Sequence, residues 1–149
     1  LAGDGDMMEG ITSEASSFAG HLQLDNLVVI YDSNGICLDG PVEECYSEDV
    51  VARYRAYGWH VIAIDGHDFE DIHRAFSSIG EEQTSPVLIV ATTTIGCGSP
   101  GKAGTHGVHG APLGEEEVLR TKEALGLPHG EGFYVPQQVK DYFNLTYGV

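Results

Sequence analysis

The sequence predicts an α/β fold, a doubly wound parallel sheet with helices on both faces. Short apolar runs alternate along the chain with segments of helical periodicity, which is the pattern of repeated strand–helix units. The runs are apolar almost throughout, as in strands that are covered on both faces. Segments rich in glycine or aspartate follow the runs, at the strand ends where such sheets bind ligands.

The first half of the chain contains two predicted helices and two predicted strands. Residues 12–22 are rich in small side chains and predict a helix, and the apolar run at 27–31 predicts a buried strand. Residues 49–57 have helical spacing, and Gly58 is suited to the C-terminal cap of that helix. The apolar run at 60–64 predicts the next strand.

The second half continues the same alternation. Residues 68–79 predict an amphipathic helix, and the run at 86–93 predicts a third buried strand. A long glycine-rich loop follows at 94–113. Residues 115–125 predict a helix whose acidic first turn complements the helix dipole, and a last short helix is expected at 136–143.

The start of the sequence is unusual. Leu1 and Ala2 lead directly into a Gly-Asp-Gly segment, with no initiator methionine. A Gly-Asp-Gly turn normally follows a strand, and that strand is almost entirely missing here. We therefore expect residues 1–149 to be a piece of a longer polypeptide.

The composition of the chain disfavours two classes of binding partner. The chain has 23 acidic and 7 basic residues and a formal net charge of -16, so nucleic acid and anionic membranes are not expected as partners. The apolar runs are far shorter than the ~20 residues that span a bilayer. The three cysteines form neither a CxxC pair nor a disulfide framework, which indicates reduced thiols and a cytoplasmic protein.

A carboxylate and an amide follow two successive predicted strands. Asp4 lies in the Gly-Asp-Gly segment, and Asn34 follows the strand at 27–31. Because successive parallel strands are often neighbours, we expect these two side chains to face each other at the carboxyl edge of the sheet. Their oxygens make a hard site suited to Mg2+, and the glycines beside Asp4 allow backbone N–H groups to reach phosphate.

Three other interpretations of these motifs are disfavoured. A dinucleotide-binding fingerprint starting at Gly3 would require glycine where Met8 stands. A calcium-binding EF-hand loop starting at Asp4 would require glycine where Glu9 stands. The His106–His109 pair has HxxH spacing but lies in a glycine-rich loop without a nearby cysteine pair, so a zinc site is not expected.

Three segments of the sequence resemble transketolases. The first is GDGDMMEGITSEASSFAGHLQLDNLVVIYDSNGICLDG, which is similar to the family's thiamine-diphosphate motif, opening at GDG and closing at an Asn. The others are RYRAYGWHVIAIDGHD and TTTIGCGSPGKAGTHGVHGAPL. The resemblance extends from Gly3 to about Phe143. The later segments separate transketolases from relatives that share only the cofactor motif, such as deoxyxylulose-phosphate synthase and 2-oxoacid dehydrogenases.

The resemblance implies a role for several residues. The metal ligands would be the Asp4 carboxylate, the Asn34 side chain and the backbone carbonyl of Ile36. His109 would lie near the diphosphate and the sugar substrate and is the expected catalytic residue, while Ile95 would pack beside the thiazolium ring. The implied cofactor-binding set is Gly3, Asp4, Gly5, Asn34, Ile95 and His109.

Two acidic residues near the motif need separate comment. Glu9 resembles a glutamate near the family's dimer interface. Asp6 departs from the family, in which many members have a small or neutral residue, and its carboxylate would be unfavourable beside a diphosphate unless it points away. The remaining histidines, His60, His67, His73 and His129, are interpreted as surface or packing residues, and Trp59 as part of the core.

The resemblance also implies the reaction. Transketolases use thiamine diphosphate and Mg2+, with Ca2+ or Mn2+ as substitutes, to transfer a two-carbon ketol unit from xylulose 5-phosphate to ribose 5-phosphate in the pentose phosphate pathway. The partners implied are sugar phosphates and, for the full-length enzyme, a second subunit in a homodimer. The chain would be part of the diphosphate-binding domain. The upstream strands, the pyrimidine-binding domain and the C-terminal domain would lie outside it, so we expect this chain alone to be inactive.

Two alternatives remain open at the level of sequence. One is a related ketol-transferring enzyme, such as dihydroxyacetone synthase or a split-subunit ketolase. The other is a non-catalytic α/β module that kept the sequence without the chemistry. Sugar specificity would separate the first from transketolase, and Mg2+-dependent cofactor binding would separate the second.

Overall fold

The computed structural model describes residues 1–80, 83–130 and 132–147. Within these ranges the strands form one parallel sheet in the order β1–β2–β4–β3. The strands are β1 (Ala2–Gly3), β2 (Val28–Ser33), β3 (His60–Asp65) and β4 (Val87–Thr92). The helices are α1 (Asp4–Met8), α2 (Gly10–His21), α3 (Val50–Ala56), α4 (Phe69–Ser77), α5 (Glu115–Ala124) and α6 (Gln137–Tyr147).

The chain forms two compact units. The first contains Leu1–Cys97 and Lys102–Pro112, and includes the whole sheet with α1 to α4. The second contains Gly98–Gly101 and the described residues from Leu113 onward, with α5 and α6. In the second unit the buried Glu117 accepts hydrogen bonds from the Ser99 hydroxyl (2.5 Å) and the Gly101 N–H (2.7 Å), which join its two segments.

The sheet is covered on both faces, as its apolar strands predict. On one face Leu88 and Val90 of β4 pack in a cluster with Met7 of α1 and Tyr54 of α3. On the other face Val87 and Ile89 of the same strand pack with Ala75 of α4. Successive side chains of a strand point to opposite faces, so one apolar run supplies both cores. The predicted fold class is confirmed.

Local signals set the ends of the helices. The Asp49 carboxylate accepts the Ala52 N–H at 2.9 Å and caps the start of α3, and the Asp68 carboxylate accepts the Glu70 N–H at 2.8 Å at the start of α4. Gly58 follows α3 with φ of 87°, a conformation that favours glycine. The predicted C-terminal cap at this position is therefore confirmed.

Helix α2 and the end of α3 approach each other closely at one glycine. A Cβ atom on Gly20 would lie 1.9 Å from the backbone oxygen of Tyr57, so only glycine fits there without a shift. The buried Trp59 donates from its indole N–H to the carbonyl of Ser16 at 2.8 Å. The interpretation of Trp59 as a core residue is confirmed.

The start of the chain differs from the prediction. The Gly-Asp-Gly segment was expected to be a turn, but the two-residue β1 passes directly into the short helix α1 at Asp4. The physical reason is a cap: the Asp6 carboxylate accepts the Gly3 N–H at 2.8 Å, which stabilises a helical turn at once after the strand. Helix α2 then begins at Gly10 rather than at residue 12, and α6 extends past the predicted end at residue 143.

Candidate functional site

The parallel pairing of β1 and β2 brings the two predicted metal-binding side chains to one edge of the sheet. Ala2 lies opposite Tyr31, and Gly3 lies opposite Asp32. Asp4 follows β1 directly, and Asn34 follows β2 directly. Asp4 and Asn34 are therefore neighbours at the carboxyl edge of the sheet, joined through the backbone N–H of Asn34.

The Asp4 carboxylate is buried and accepts three hydrogen bonds. Oδ1 accepts the Tyr31 hydroxyl at 2.7 Å, and Oδ2 accepts the backbone N–H groups of Asn34 at 3.1 Å and Gly35 at 3.0 Å. The residue is only 5% exposed. These three bonds offset the cost of burying a carboxylate, which is high without such donors.

The loop after β2 has a compact form around Asn34. The side-chain Oδ1 of Asn34 accepts the Ile36 N–H at 3.0 Å, and the Val42 N–H donates to the Gly35 carbonyl at 2.9 Å. Gly35 has φ of 73°, which favours glycine, and Ile36 pairs with Pro41 in an isolated antiparallel bridge. These bonds hold the Asn34 side chain against the backbone of Ile36 and keep both residues within one compact loop.

The chemistry of these residues fits a hard divalent cation. Carboxylate, amide and carbonyl oxygens are the ligands that Mg2+ and Ca2+ prefer. Each carboxylate oxygen has two acceptor positions, and Oδ1 of Asp4 accepts only the Tyr31 hydroxyl among the described residues. Across the described ranges no group of three or more His, Cys, Asp and Glu side chains is arranged to hold a metal. The ligand roles of Asp4, Asn34 and Ile36 stay predictions.

The two acidic residues near the motif have different environments from Asp4. Asp6 is exposed, and its Oδ2 is directed at the Gly3 N–H, where it caps α1. The Asp6 carboxylate, which departs from the family pattern, therefore caps a helix in this fold. Glu9 is exposed between α1 and α2, and its place near a subunit interface stays a prediction.

A cavity of about 480 Å3 adjoins the buried Asp4 side chain. Two tyrosines line it, Tyr31 and Tyr46. The Tyr46 hydroxyl donates to Oε2 of Glu48 at 2.5 Å, and Arg53 Nε lies 2.8 Å from the other oxygen of that carboxylate. Neither tyrosine was predicted from the sequence to belong to a site, because each lies among residues typical of an ordinary core or loop.

Burial changes the acidity of both phenols. For Tyr31, burial raises the pKa well above its usual range, the Ser33 hydroxyl opposes this, and the Asp4 carboxylate adds to it. For Tyr46, burial and the hydrogen bond to Glu48 raise the pKa to about 12, against the opposing charge of Arg53. Both phenols are therefore neutral hydrogen-bond donors over the physiological range of pH.

The ends of β3 and β4 are joined by His67, a residue interpreted from sequence as a surface or packing residue. Its Nε2 accepts the Thr94 N–H at 2.8 Å, and the backbone N–H of His67 donates to Oδ1 of Asp65 at 2.9 Å. Thr94 is the first residue of the loop that carries Ile95 and His109. The signal that could have identified His67 is its position in the Asp-Gly-His segment after β3, at the same sheet edge as Asp4.

The loop that carries Ile95 and His109 is held by its own backbone. The Gly104 N–H donates to the Ile95 carbonyl at 2.8 Å, and the His109 N–H donates to the His106 carbonyl at 3.0 Å. Among the described residues, the hydrogen bonds of Asp4 join it to Tyr31, Asn34 and Gly35 and do not extend to Ile95 or His109. The roles proposed for Ile95 and His109 toward a cofactor stay predictions.

The sequence was compared with protein families and with curated proteins. The family described as "Transketolase, thiamine diphosphate binding domain" matches residues 1–147. The chain is 51% identical over 144 residues to transketolase of Bacillus subtilis, covering 96% of this chain and 22% of that protein. It is 50% identical over 147 residues to transketolase of Geobacillus stearothermophilus, covering 98% of this chain and 22% of that protein. The chain thus spans about a fifth of the length of these relatives.

Solved structures of transketolases match the fold. Transketolase from Campylobacter jejuni superposes with a TM-score of 0.90 at 45% identity, over 95% of this chain and 22% of that one. Transketolase from Pichia stipitis in complex with sedoheptulose 7-phosphate superposes with a TM-score of 0.90 at 46% identity, over 96% and 21%. The resemblance inferred from the three sequence segments is confirmed by these matches.

Proposed function

This chain belongs to the family of transketolase thiamine-diphosphate-binding domains, and from that premise we propose that it holds the cofactor's diphosphate through Mg2+. The observation that carries the proposal is the buried Asp4 carboxylate, bonded to the N–H of Asn34 across two neighbouring strands. Asp4 and Asn34 supply side-chain oxygens, and Ile36 supplies a backbone carbonyl. Ca2+ or Mn2+ would substitute, because the site offers only oxygen ligands.

The cation is needed because the chain is strongly acidic. A net charge of -16 repels a diphosphate, and a Mg2+ ion held by Asp4, Asn34 and Ile36 would offset that repulsion. Gly5 is exposed, and apart from its chain neighbours and the backbone of its own helix no atom lies within 4 Å of where its Cβ would be. A phosphate can therefore approach the backbone of Gly5 closely, whereas the Gly3 N–H is bonded to the Asp6 carboxylate, which would have to turn away for Gly3 to bind a phosphate.

The loop after β4 supplies the other proposed contacts. Ile95 would pack beside the thiazolium ring, and the imidazole of His109 would donate a hydrogen bond toward the diphosphate or the sugar substrate. When bound, thiamine diphosphate supplies the carbon nucleophile that ketol transfer requires. The protein residues bind and orient the reactants, which lowers the entropic part of the barrier.

We assign to the whole protein the transfer of a two-carbon ketol unit from xylulose 5-phosphate to ribose 5-phosphate, in the pentose phosphate pathway and in the cytoplasm. Support comes from the Pichia stipitis enzyme, which has been crystallised with sedoheptulose 7-phosphate and with xylulose 5-phosphate. Since the chain spans about a fifth of its relatives, we propose that it requires further domains and a second subunit for activity. The 149-residue chain alone is then inactive.

The test is an assay of ketol transfer from xylulose 5-phosphate to ribose 5-phosphate. It compares the complete polypeptide that contains this chain with the isolated 149-residue chain, each with and without thiamine diphosphate and Mg2+. The proposal predicts cofactor-dependent turnover by the complete polypeptide only. Turnover by the pure isolated chain would refute the need for further domains, and an inactive but folded and cofactor-loaded complete polypeptide would refute the assigned reaction.

A further inference from the structure

The hydrogen bonds of Asp4 divide its two oxygens into different roles. Oδ2 accepts two backbone N–H groups, those of Asn34 and Gly35, and Oδ1 accepts the Tyr31 hydroxyl. With two acceptor positions on each oxygen, Oδ2 is saturated by these bonds, whereas Oδ1 accepts only the Tyr31 hydroxyl among the described residues and so retains one position. The oxygen left to bind a cation is therefore the one that Tyr31 contacts.

Tyr31 is held firmly where it makes this contact. It lies in β2 opposite Ala2 of β1, it is 6% exposed, and its side chain belongs to the cluster that includes Met7 and Tyr54. A phenol packed in a core has little rotational freedom left, so the position of its hydroxyl is fixed by the fold. The hydroxyl in turn fixes the rotation of the Asp4 carboxylate about its last side-chain bond.

We propose that Tyr31 is a positioning residue for the cation at Asp4, its hydroxyl orienting the carboxylate so that Oδ1 faces the cation. The inference rests on the proposed function and adds to it a residue that does not itself bind the metal. Hydrogen-bond partners behind metal ligands typically contribute 10- to 100-fold to metal affinity. Removing the hydroxyl leaves Oδ2 tied to the loop after β2 and Oδ1 without its orienting donor.

The chain contains a matched control. Tyr46 lines the same cavity as Tyr31, but its hydroxyl bonds to the Met7 carbonyl at 3.3 Å and to Glu48 rather than to Asp4. Tyr31→Phe and Tyr46→Phe remove the same atom from neighbouring positions. Only the first removes a donor from the carboxylate that we assign to the cation.

The experiment titrates Mg2+ at a fixed concentration of thiamine diphosphate and follows cofactor binding by calorimetry. It uses the complete polypeptide in its wild-type, Tyr31→Phe and Tyr46→Phe forms. For Tyr31→Phe we expect the half-saturating Mg2+ concentration to rise about 10- to 100-fold, with full cofactor binding restored at saturating Mg2+. For Tyr46→Phe we expect a change of less than about threefold, since no bond to Asp4 is lost.

Three results would overturn the inference. They are an unchanged Mg2+ requirement in Tyr31→Phe, an equal rise in Tyr46→Phe, and a binding loss in Tyr31→Phe that excess Mg2+ does not restore. Urea unfolding of each variant without Mg2+ checks that the fold is kept, so that a higher Mg2+ requirement in Tyr31→Phe is measured on folded protein. If the wild-type protein itself shows no Mg2+-dependent cofactor binding, the proposed function is refuted. That result differs from the three above, so failure of the proposed function can be told from failure of the inference about Tyr31.

Discussion

The Oδ2 atom of Asp4 lies 3.1 Å from the backbone nitrogen of Asn34, although the two residues are 30 positions apart in the chain. The bond crosses between the ends of β1 and β2, and the neighbouring Gly35 N–H makes a second bond to the same oxygen. The loop after β2 is thus folded around the residue that follows β1. This arrangement brings a buried carboxylate and the loop that contains Asn34 and Ile36 to one point of the sheet edge.

Neutralising Asp4 is expected to weaken metal binding strongly. In Asp4→Asn the negative charge is lost, and an amide NH2 placed at Oδ2 would face the N–H groups of Asn34 and Gly35. The Mg2+ concentration needed for cofactor binding should rise by more than the roughly 10- to 100-fold typical of residues behind a ligand. Glu14→Gln removes the same charge at an exposed position of α2 and should have little effect. Equal effects of the two variants would contradict the assignment of Asp4.

Filling the close approach at Gly20 is expected to destabilise the fold. A Cβ atom in Gly20→Ala would lie 1.9 Å from the Tyr57 oxygen and 3.2 Å from a ring carbon of Trp59. We expect a loss of about 1–3 kcal/mol in the free energy of unfolding, measured by urea denaturation. Gly10→Ala places a methyl group in open space at the first residue of α2 and should change stability by less than about 1 kcal/mol. Similar values for both variants would show that helices α2 and α3 are not packed as described.

The bond between His67 and the loop after β4 predicts a difference between two substitutions. His67→Ala removes the acceptor for the Thr94 N–H, whereas the amide oxygen of His67→Gln can replace Nε2. A hydrogen bond of this kind contributes about 0.5–1.5 kcal/mol, so hydrogen exchange at the Thr94 amide should accelerate roughly 2- to 10-fold in His67→Ala. His67→Gln should retain most of the protection. An unchanged exchange rate in His67→Ala would contradict the role of His67 in holding this loop.

Alkaline pH is expected to destabilise the protein through Tyr46. Burial, together with the hydrogen bond to Glu48, raises its pKa from 10.0 to about 12. Because the folded-state pKa lies above the unfolded one, this stabilisation is complete below pH 10 and is lost as the pH rises toward about 12. The free energy of unfolding should therefore fall more steeply over this window in the wild type than in Tyr46→Phe. Parallel curves for the two proteins would refute the prediction.

The architecture could be predicted because its signals are local and repeated. The apolar runs become β2, β3 and β4, of which β4 is buried almost throughout while β2 and β3 are mostly half-buried or exposed. Caps at Asp49 and Asp68 mark where helices start. The meeting of Asp4 and Asn34 followed from topology, since the carboxyl ends of neighbouring parallel strands share an edge. These inferences required only the order of the elements.

The remaining features depend on contacts that sequence order does not encode. Helix α1 was missed because two glycines and an aspartate read as a turn, whereas the bond from the Gly3 N–H to Asp6 starts a helix. Tyr31 and His67 were missed because a strand tyrosine and a loop histidine are ordinarily packing or surface residues. Their partners, Asp4 and Thr94, lie 27 positions away in each case and become neighbours only in the folded sheet.

We propose that this chain anchors the diphosphate of thiamine diphosphate through a cation held at Asp4 and Asn34. The most direct test is a calorimetric titration of thiamine diphosphate into the complete polypeptide, first with Mg2+ and then with the cation removed by a chelator. We expect saturable binding with Mg2+ and a large loss of affinity without it, restored when Mg2+ is returned. Equal affinity with and without the cation, in a folded protein, would contradict this role of the cation.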